Sequence, residues 1–531
     1  MNRRGAAALL AAAALLAAGC GRGKDASDAR PVQGGTLRVA GVTPLSLDPK
    51  RAALVADFLP ATSLFDRLVA FDSDLTPVPA AASSWESNSD ATEWTFHLAA
   101  GRTFHDGSPV EAADFKFAWE RVANPDAKSA VAFLLDNVRG FAGYEAKSAK
   151  EIAGLKALDA GTLKVELVKP FAELPALVGH PALAPVPRAK VSADEAGFAR
   201  SPIGNGAFKM AQAWDGKGAI KLARYEQYGG KGAYVDALTI LCEASEEVSY
   251  ADFQSGKADV AGVPVGKLDE AEKSYPNAKA GKNHLLSGPQ AATYYLGFNV
   301  ADAPFKTPEA RRGVALTVNR AVLVSVFGGS RQASTAIVPP GVPGARVSNC
   351  EACRVDVAGA KVALTQAGLQ GAVRMLTTTG ESDRRVTEIL KTGMSQAGLD
   401  LQATQVKPED YAQELGKSGV QMYRLGWVAQ YPSMDAFLYA QFHSSGIGRD
   451  NMSRYSNSEV DSLLDQARKT LDAQRRISLY RQAEDRILAD LPIVPLLSYR
   501  RADAVGARVR GYAFNAFGLT DLSRVWLAPA S

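Results

Sequence analysis

One stretch near the middle of the chain restricts the fold more than any other, because it is typical of strand, helix and strand joined by short loops. Residues 373–377 and 399–403 have strand patterns, and a helix is predicted between them over 383–397, ended by Gly398. Two strands joined through a helix lie parallel, and the connection between them is right-handed. Strand and helix patterns also alternate along the rest of the chain, which predicts an α/β fold.

The starts of two further helices can be predicted from capping residues. Ser108, Pro109 and Glu111 offer a hydroxyl N-cap, a proline at the first helical position and a glutamate three residues after the cap. Ser456 and Glu459 form the same kind of capping box nearer the C-terminus. We therefore expect one helix to begin at Pro109 and another to begin directly after Ser456.

The first twenty residues have the pattern of an export signal. Arg3 and Arg4 precede an Ala/Leu stretch over 6–18, which is too short to span a bilayer comfortably. Leu-Ala-Ala-Gly-Cys at 16–20 resembles a bacterial lipobox, in which Cys20 becomes the lipidated N-terminus. The alternative is a plain signal peptide cut near Gly19, with Cys20 an ordinary thiol. The polar residues 20–33 are predicted to be a flexible tether.

The composition is that of a folded protein without a bias towards nucleic acids. Its 531 residues are 47% hydrophobic, and 60 Lys and Arg against 56 Asp and Glu leave a formal net charge of +4. This balance is too even for a nucleic-acid binder. The length suggests roughly two to four domains. No later window approaches about 18 uninterrupted apolar residues, so we expect only a lipid to hold the chain at the membrane.

Three cysteines remain once Cys20 is set aside. Cys350 and Cys353 are predicted to form a short local disulfide, whereas zinc or redox chemistry is less favoured because no second Cys-x-x-Cys or nearby histidine completes a site. Cys242 lies in a predicted strand and is expected to be a buried free thiol.

Motifs for catalysis are absent from the sequence. It contains no Gly-x-Ser-x-Gly elbow, no His-Glu-x-x-His and no Gly-x-x-x-x-Gly-Lys phosphate loop, and its five histidines are scattered. A triad assembled from distant segments stays open, because triads are recognised by geometry. His105, in the turn at 104–107, is interpreted as structural more readily than as catalytic. We therefore expect binding without turnover, and no cofactor or metal.

Short segments along almost the whole chain stand in a characteristic order. They are Gly-Gly-Thr-Leu at 34–37, Ser-Leu-Asp-Pro at 46–49, Trp-Thr-Phe-His-Leu at 94–98, Phe-His-Asp-Gly-Ser-Pro-Val at 104–110, Pro-Ile-Gly-Asn-Gly-Ala-Phe at 202–208, Tyr-Tyr-Leu-Gly-Phe-Asn at 294–299 and Tyr-Arg-Leu-Gly-Trp-Val-Ala-Gln-Tyr at 423–431. Together they resemble the extracytoplasmic solute-binding proteins of the peptide and nickel class of ABC importers, of the large three-lobed type. Ala207 replaces a usual proline, and Asn319 a usual aspartate.

This resemblance implies a periplasmic-binding-protein-like fold, with two large lobes joined by a hinge and a third, smaller domain. The expected boundaries are 34–60, 188–287 and 501–531 for lobe I, 61–187 for an extra domain inserted in lobe I, and 288–500 for lobe II. The lobes are expected to close over a ligand and to present a new surface to the permease.

The resemblance also implies ligand-binding residues. Gly426 and Trp427 match a ligand-facing Gly-Trp pair, Tyr431 follows in the same stretch, and Arg424 stands where some members have an arginine that meets a ligand carboxylate. Weaker candidates are Tyr294 and Asn299, together with main-chain groups of Thr43, Pro44 and Leu45. Each has an alternative interpretation: Trp427 as a core indole, Arg424 as a surface or ion-paired residue, and Tyr294 and Asn299 as strand packing.

Gln430 is the departure that affects ligand choice. It occupies the position of an acidic residue that, in peptide-binding members, pairs with the ligand's free α-amino group. A buried ammonium without a counter-charge is costly, and an amide recovers only part of that cost. We therefore expect a blocked or modified peptide, an oligosaccharide or another polar solute. Asp435 could replace the missing acid if its loop folds back.

The sequence thus predicts a monomeric, membrane-tethered receptor that captures a small polar solute and delivers it to an ABC permease and its ATPase subunits. An exported hydrolase and a nickel or metal-chelate receptor are alternatives, the latter with His443 as the only histidine nearby in sequence. A sensor or adhesion lipoprotein on the same fold is a third.

Overall fold

The computed structural model of the protein describes residues 30–276, 282–347, 350–417 and 419–529. The predicted signal segment, Cys20 and most of the predicted tether lie outside the described residues.

Strands are distributed over the whole described part of the chain. They are β1 (Thr36–Val42), β2 (Val69–Phe71), β3 (Pro77–Pro79), β4 (Ala82–Ser87), β5 (Glu93–Leu98), β6 (Leu155–Asp159), β7 (Thr162–Glu166), β8 (Phe208–Met210), β9 (Ile220–Arg224), β10 (Ala237–Glu243), β11 (Val260–Gly262), β12 (His284–Phe298), β13 (Arg331–Ala333), β14 (Gly371–Thr378), β15 (Leu399–Val406), β16 (Met422–Val428), β17 (Ile493–Val505), β18 (Val509–Arg510) and β19 (Trp526–Leu527).

Helices alternate with these strands. They are α1 (Val55–Leu64), α2 (Ala112–Ala123), α3 (Phe141–Glu145), α4 (Leu174–Leu177), α5 (Arg188–Ala193), α6 (Glu195–Arg200), α7 (Glu246–Gln254), α8 (Leu268–Ser274), α9 (Pro308–Ala315), α10 (Arg320–Ser325), α11 (Val357–Gln366), α12 (Glu381–Gln396), α13 (Tyr411–Leu415), α14 (Asp435–Phe442), α15 (Ser458–Lys469) and α16 (Ala473–Asp490). No helix in the described part of the chain combines the length and apolar character needed to cross a membrane.

One eleven-stranded sheet organises the molecule. Its strand order is β15-β14-β16-β12-β17-β11-β1-β10-β9-β8, with β13 paired to β17. We call β1 and β8–β11 the first half-sheet, and β13–β16 the second half-sheet. The long antiparallel strands β12 and β17 lie between the halves and pair from His284 opposite Val505 to Gly297 opposite Ile493. This two-stranded ribbon therefore connects the two halves.

The cores follow the same division. The first half-sheet shares one hydrophobic core with a small sheet of order β4-β5-β7-β6. The second half-sheet has a core on each face: Leu296 and Phe298 of β12 lie in one, and Tyr295 lies in the other. Side chains alternate between the faces of a strand, so both faces of β12 are covered here.

The strand-helix-strand prediction is confirmed. Strands β14 and β15 pair in parallel from Gly371 opposite Leu399 to Thr378 opposite Val406, and α12 connects them. Gly398 has a positive φ of 90°, the left-handed conformation in which a glycine ends a helix.

The first predicted helix start is three residues too early, and the second is one residue too early. Helix α2 begins at Ala112, and the N–H of its cap, Glu111, donates to Asp114 at 2.9 Å. Ser108 lies in the preceding turn, three residues before this cap, and its hydroxyl donates to Asp106 at 2.6 Å. Helix α15 begins at Ser458 because the Asn457 side chain caps it in place of Ser456.

The structure also places the cysteines. Cys350 and Cys353 form a disulfide bond. Cys242 is a free thiol that is only half-buried, where full burial was expected, and its burial raises the pKa of the thiol to about 11. The thiol is therefore protonated at neutral pH, in its unreactive form.

His105 joins two distant segments in its neutral form. The Gly204 N–H donates to its Nδ1 at 3.0 Å, and its Nε2 lies 3.1 Å from the Gly206 carbonyl oxygen. A proton on Nδ1 would point at the Gly204 N–H, so this position accepts only the neutral ring. Burial lowers the pKa of His105 to about 4, below the usual value of about 6.5 in an unfolded chain.

We expect His105 to make folding sensitive to acid. Between pH 6.5 and 4 the unfolded chain takes up the proton first, so stability falls as pH falls. Urea unfolding should be measured at pH 7.5 and 4.5. Between these values the free energy of unfolding should fall by about 2 kcal/mol less in His105→Gln than in the wild type. His97→Gln, at an exposed histidine beside Glu86, is the control and should behave as wild type. If the free energy of unfolding fell equally in His105→Gln and in the wild type, this account would be contradicted.

Candidate functional site

A cavity of about 300 Å³ lies beside the ribbon, where the two half-sheets meet. Four chain segments form its walls: the start of α1 with the loop before it, the middle of β12, the end of β16 with the residues after it, and the C-terminal segment. The lining residues are Ala53, Leu54, Val55, Phe58, Gln290, Ala291, Val428, Ala429, Gln430, Ala516 and Phe517.

The lining is almost entirely apolar. Gln290 and Gln430 carry its only polar side chains, and no charged residue of the described chain belongs to it. The Gln430 Oε1 is buried and has no hydrogen-bond partner in the structure. A buried acceptor without a donor is costly, so this oxygen is a position at which a ligand donor would gain energy.

The strand that leads to Gln430 has a free edge. The Ala429 N–H donates to the Ala291 carbonyl at 3.0 Å, so the alternate residues Gly426 and Val428 direct their main-chain groups away from β12. On that side β14 reaches only as far as Tyr423. Among the described residues, no strand covers the edge at Gly426 and Val428, and both residues are exposed.

Trp427 lies next to this edge but outside the cavity lining. Its indole N–H donates to the Ala436 carbonyl at 2.7 Å, and its ring packs partly buried against the second half-sheet's core. The protein thus already satisfies the one polar group of Trp427, and only the ring surface remains for a ligand.

Arg424 is held inside the protein. It is buried, forms an ion pair with Asp383 and donates from Nη2 to the Thr377 hydroxyl at 3.2 Å. Its guanidinium also lies 5.0 Å from the centre of the buried Tyr294 ring. This is the ion-paired interpretation, and a ligand carboxylate would have to compete with Asp383 for the same group.

Asp435 does not replace the missing acid. It is fully buried at the start of α14, and its carboxylate accepts from the Arg468 Nη2 at 2.9 Å, the Tyr431 hydroxyl at 2.7 Å and the Tyr480 hydroxyl at 2.8 Å. The expectation that it could serve a ligand amine is therefore wrong, because these donors already occupy the carboxylate.

Glu173, from the segment after the small sheet, holds the same loop from the other side. The Ser433 hydroxyl donates to it at 2.6 Å and the Tyr480 hydroxyl at 3.1 Å, and burial raises the pKa of this carboxyl. The ring of Phe171 meets that of Tyr431 edge-on at 5.7 Å. Tyr431 is thus a structural connection between the two parts of the molecule.

The loop of Thr43, Pro44 and Leu45 uses its donor groups within the protein. The Thr43 N–H and hydroxyl both donate to the Glu243 carbonyl at 2.9 and 3.0 Å, and the Leu45 N–H donates to Asp57 at 3.0 Å. Pro44 has no N–H, so the main-chain donors of this loop are bound within the protein. Sequence patterns cannot show such partners.

Asn299 is not part of the site. Its side chain binds Asp302 at 2.9 Å and the Ala301 N–H at 3.1 Å. It follows the end of β12, eight residues beyond Ala291, and a strand rises about 3.3 Å per residue, so it lies roughly 26 Å from the cavity. The interpretation as strand packing is the better one.

The residues that could bind a metal are dispersed in the described part of the chain. Within the described ranges, no three His, Cys, Asp or Glu side chains come together as a metal would require. His443 stacks on Tyr439 at 4.5 Å, and its Nδ1 lies 2.7 Å from the Ser445 hydroxyl oxygen. The histidine is thus used within its own loop.

Most of the cavity wall comes from residues that no sequence motif marked. Residues 53–58, Gln290 and the pair Ala516–Phe517 were not predicted, although they form more than half of the lining. They belong to segments far apart in the chain and carry no polar motif. Only their convergence in three dimensions identifies them.

The chain was compared with known proteins. A family model described as bacterial extracellular solute-binding proteins, family 5 middle, matches residues 76–449. The periplasmic oligopeptide-binding protein OppA of Salmonella typhimurium is 27% identical over 525 residues, covering 95% of this chain and 94% of that protein. The dipeptide-binding protein DppE of Bacillus subtilis is 25% identical, covering 90% and 89%.

A solved structure shows the same fold. The unliganded open form of the periplasmic murein tripeptide-binding protein MppA superposes with a TM-score of 0.81 at 23% identity, covering 94% of this chain and 98% of that one.

We expect Asp435→Asn to lower the free energy of unfolding by about 3 kcal/mol, because the buried guanidinium of Arg468 would lose its counter-charge. Urea unfolding followed by circular dichroism would measure the loss. Asp126→Asn breaks an exposed ion pair with Lys147 and is the matched control, with an expected loss below about 1 kcal/mol. Equal losses in the two variants would show that the Asp435 cluster does not stabilise the fold.

Proposed function

Because the chain belongs to the bacterial extracellular solute-binding proteins of family 5, whose members are transport receptors and not enzymes, we propose that it captures a peptide-like solute and delivers it to the permease of an ABC importer. The alternative of an exported hydrolase is thereby excluded. Binding without chemistry needs only a cleft that replaces the ligand's water with fixed contacts.

The two half-sheets are the proposed lobes. Lobe I comprises 34–60, 188–287 and 501–531, lobe II comprises 288–500, and 61–187 is the extra domain. This division is supported by the ribbon of β12 and β17, because β12 pairs with β16 of the second half-sheet and β17 pairs with β11 of the first. A bend of the ribbon would close the lobes over a ligand.

The proposal depends above all on the position of the cavity. One wall comes from residues 53–58 and 516–517 of proposed lobe I, and the opposite wall from Val428, Ala429 and Gln430 of proposed lobe II. The free strand edge at Gly426 and Val428 adjoins the second wall. An extended peptide can add to such an edge through main-chain hydrogen bonds, which require no particular side chains.

The ligand is proposed to have an uncharged amino end. Asp435 and Glu173 are already bound by donors, and Asp57 accepts the N–H groups of Leu45, Ala53 and Leu54. A ligand ammonium in the cavity would thus lose its water without gaining a counter-charge. A blocked peptide fits the apolar lining better than an oligosaccharide, which needs many polar partners.

Export and anchoring are part of the same proposal. The signal pattern at 1–19 and the lipobox ending at Cys20 support a protein fixed to the outer face of the cell membrane by lipid. Partners would be the permease and its ATPase subunits.

Titration calorimetry with Ala-Phe-Ala and its N-acetyl form tests the uncharged anchor. The acetylated form should bind at least tenfold more tightly, which corresponds to about 1.4 kcal/mol. Gln430→Asp should reverse this preference by supplying a counter-charge, whereas Gln466→Asp on α15 should not. A preference of the wild type for the free amine would overturn the uncharged anchor. Failure to bind either form would count against a peptide receptor.

Metabolic labelling with palmitate tests the anchor. The wild type should carry label and sediment with membranes, and Cys20→Ser should lose both properties because it offers no thiol for the lipid. Cys242→Ser is the control and should stay labelled. Label retained in Cys20→Ser would refute lipidation at this residue.

A further inference from the structure

We propose that the cavity beside Gln430 is a subsite for an acyl group that blocks the amino end of the bound peptide. This inference rests on the proposed function and adds the chemical class of the ligand's first group: uncharged, apolar and several carbons long.

Large apolar side chains are exposed around the mouth of the cavity. Leu54 is 65% exposed and Val55 38% exposed on one wall, and Val428 is 46% exposed on the other. Water on such surfaces is unfavourable, and a contiguous exposed apolar patch is typical of a binding site. An apolar group seated between these side chains would remove all three surfaces from water at once.

Neither sign of charge finds a partner in the cavity. The carboxylate of Asp57, which adjoins the lining residue Phe58 in sequence, accepts the N–H groups of Ala53 and Leu54 at 3.2 and 2.9 Å, as well as that of Leu45. The same contacts occupy N–H groups at the start of α1, which would otherwise attract an anion. Both a cationic and an anionic group are therefore disfavoured.

The polar groups match the first amide of an acylated peptide. Gln430 offers one buried oxygen without a partner, and an acylated amino end offers one N–H. A free amine would bring three N–H donors and a charge, and the described residues of the lining contain no carboxylate to balance that charge. The available hydrogen-bonding groups therefore favour an amide over a free amine.

The cavity is also continuous with the proposed path of the peptide. Val428 belongs to the lining with its side chain and to the free strand edge with its main chain. An acyl group in the cavity would therefore be attached to a chain that runs along Gly426 and Val428. Apolar cavities of about 150 Å³ can hold benzene, so about 300 Å³ accommodates a six-carbon chain.

Titration calorimetry with three forms of one peptide tests the subsite. The probes are N-acetyl-, N-hexanoyl- and N-succinyl-Ala-Phe-Ala, which share the amide and differ only in the cap. The hexanoyl form should bind the wild type at least tenfold more tightly than the acetyl form, because its extra methylenes are buried. The succinyl form, with its carboxylate, should bind more weakly than the acetyl form.

Leu54→Asp places a carboxylate in the wall, at a helix N-cap where aspartate is well tolerated. It should weaken hexanoyl binding at least tenfold and acetyl binding by a clearly smaller factor, because the shorter cap covers less of the wall. Leu158→Asp, at a comparably exposed leucine (58%) on β6, is the matched control and should bind all three forms as the wild type does.

The outcomes separate this inference from the proposed function. Equal binding of the acetyl and hexanoyl forms, or tighter binding of the succinyl form, overturns the acyl subsite and leaves the peptide receptor standing. An equal loss of both neutral forms in Leu54→Asp also overturns the assignment to this cavity. If the wild type binds no capped or free peptide, the proposed function fails together with the subsite.

Discussion

The pairing of β12 with β17 is the constraint on which the rest of the structure depends. These strands share main-chain hydrogen bonds along most of their length and carry a half-sheet on each side. The two halves therefore cannot separate, and any relative motion must bend or twist the ribbon. The pairing register is interrupted near Gln290 and again near Tyr294, and such irregularities bend a strand. The first interruption lies beside the cavity, where a closing motion is needed.

Around the cavity, charges are paired within the protein and the surface left for a ligand is apolar. Asp57 is bound by main-chain N–H groups, Asp435 by Arg468 and two tyrosines, and Arg424 by Asp383. These pairs hold the loops that form the walls. A buried charge with a full set of partners is a poor ligand for anything else, because an incoming group must replace those partners. Selectivity for the ligand then depends on shape, apolar contacts and single hydrogen bonds.

Local patterns predicted some features well and others poorly. The parallel pair on either side of α12 was predictable, because two strands and a helix with short joints leave one arrangement. The helix start at Pro109 was not, because Ser108 belongs to the turn with Asp106 and Glu111 occupies the N-cap position. Asn299 belongs to a motif that resembles a binding segment, but in the structure its amide is used in the turn after β12.

The sequence by itself determined the alternation of strands and helices, the export pattern at the N-terminus and, through the order of its motifs, the family. These properties depend on residue types at short range or in a fixed order. Only the tertiary structure decided which residues form the cavity and which charges are free, because its walls come from segments between Ala53 and Phe517. Whether a carboxylate such as Asp435 can meet a ligand depends on the donors packed around it, and no local pattern records those.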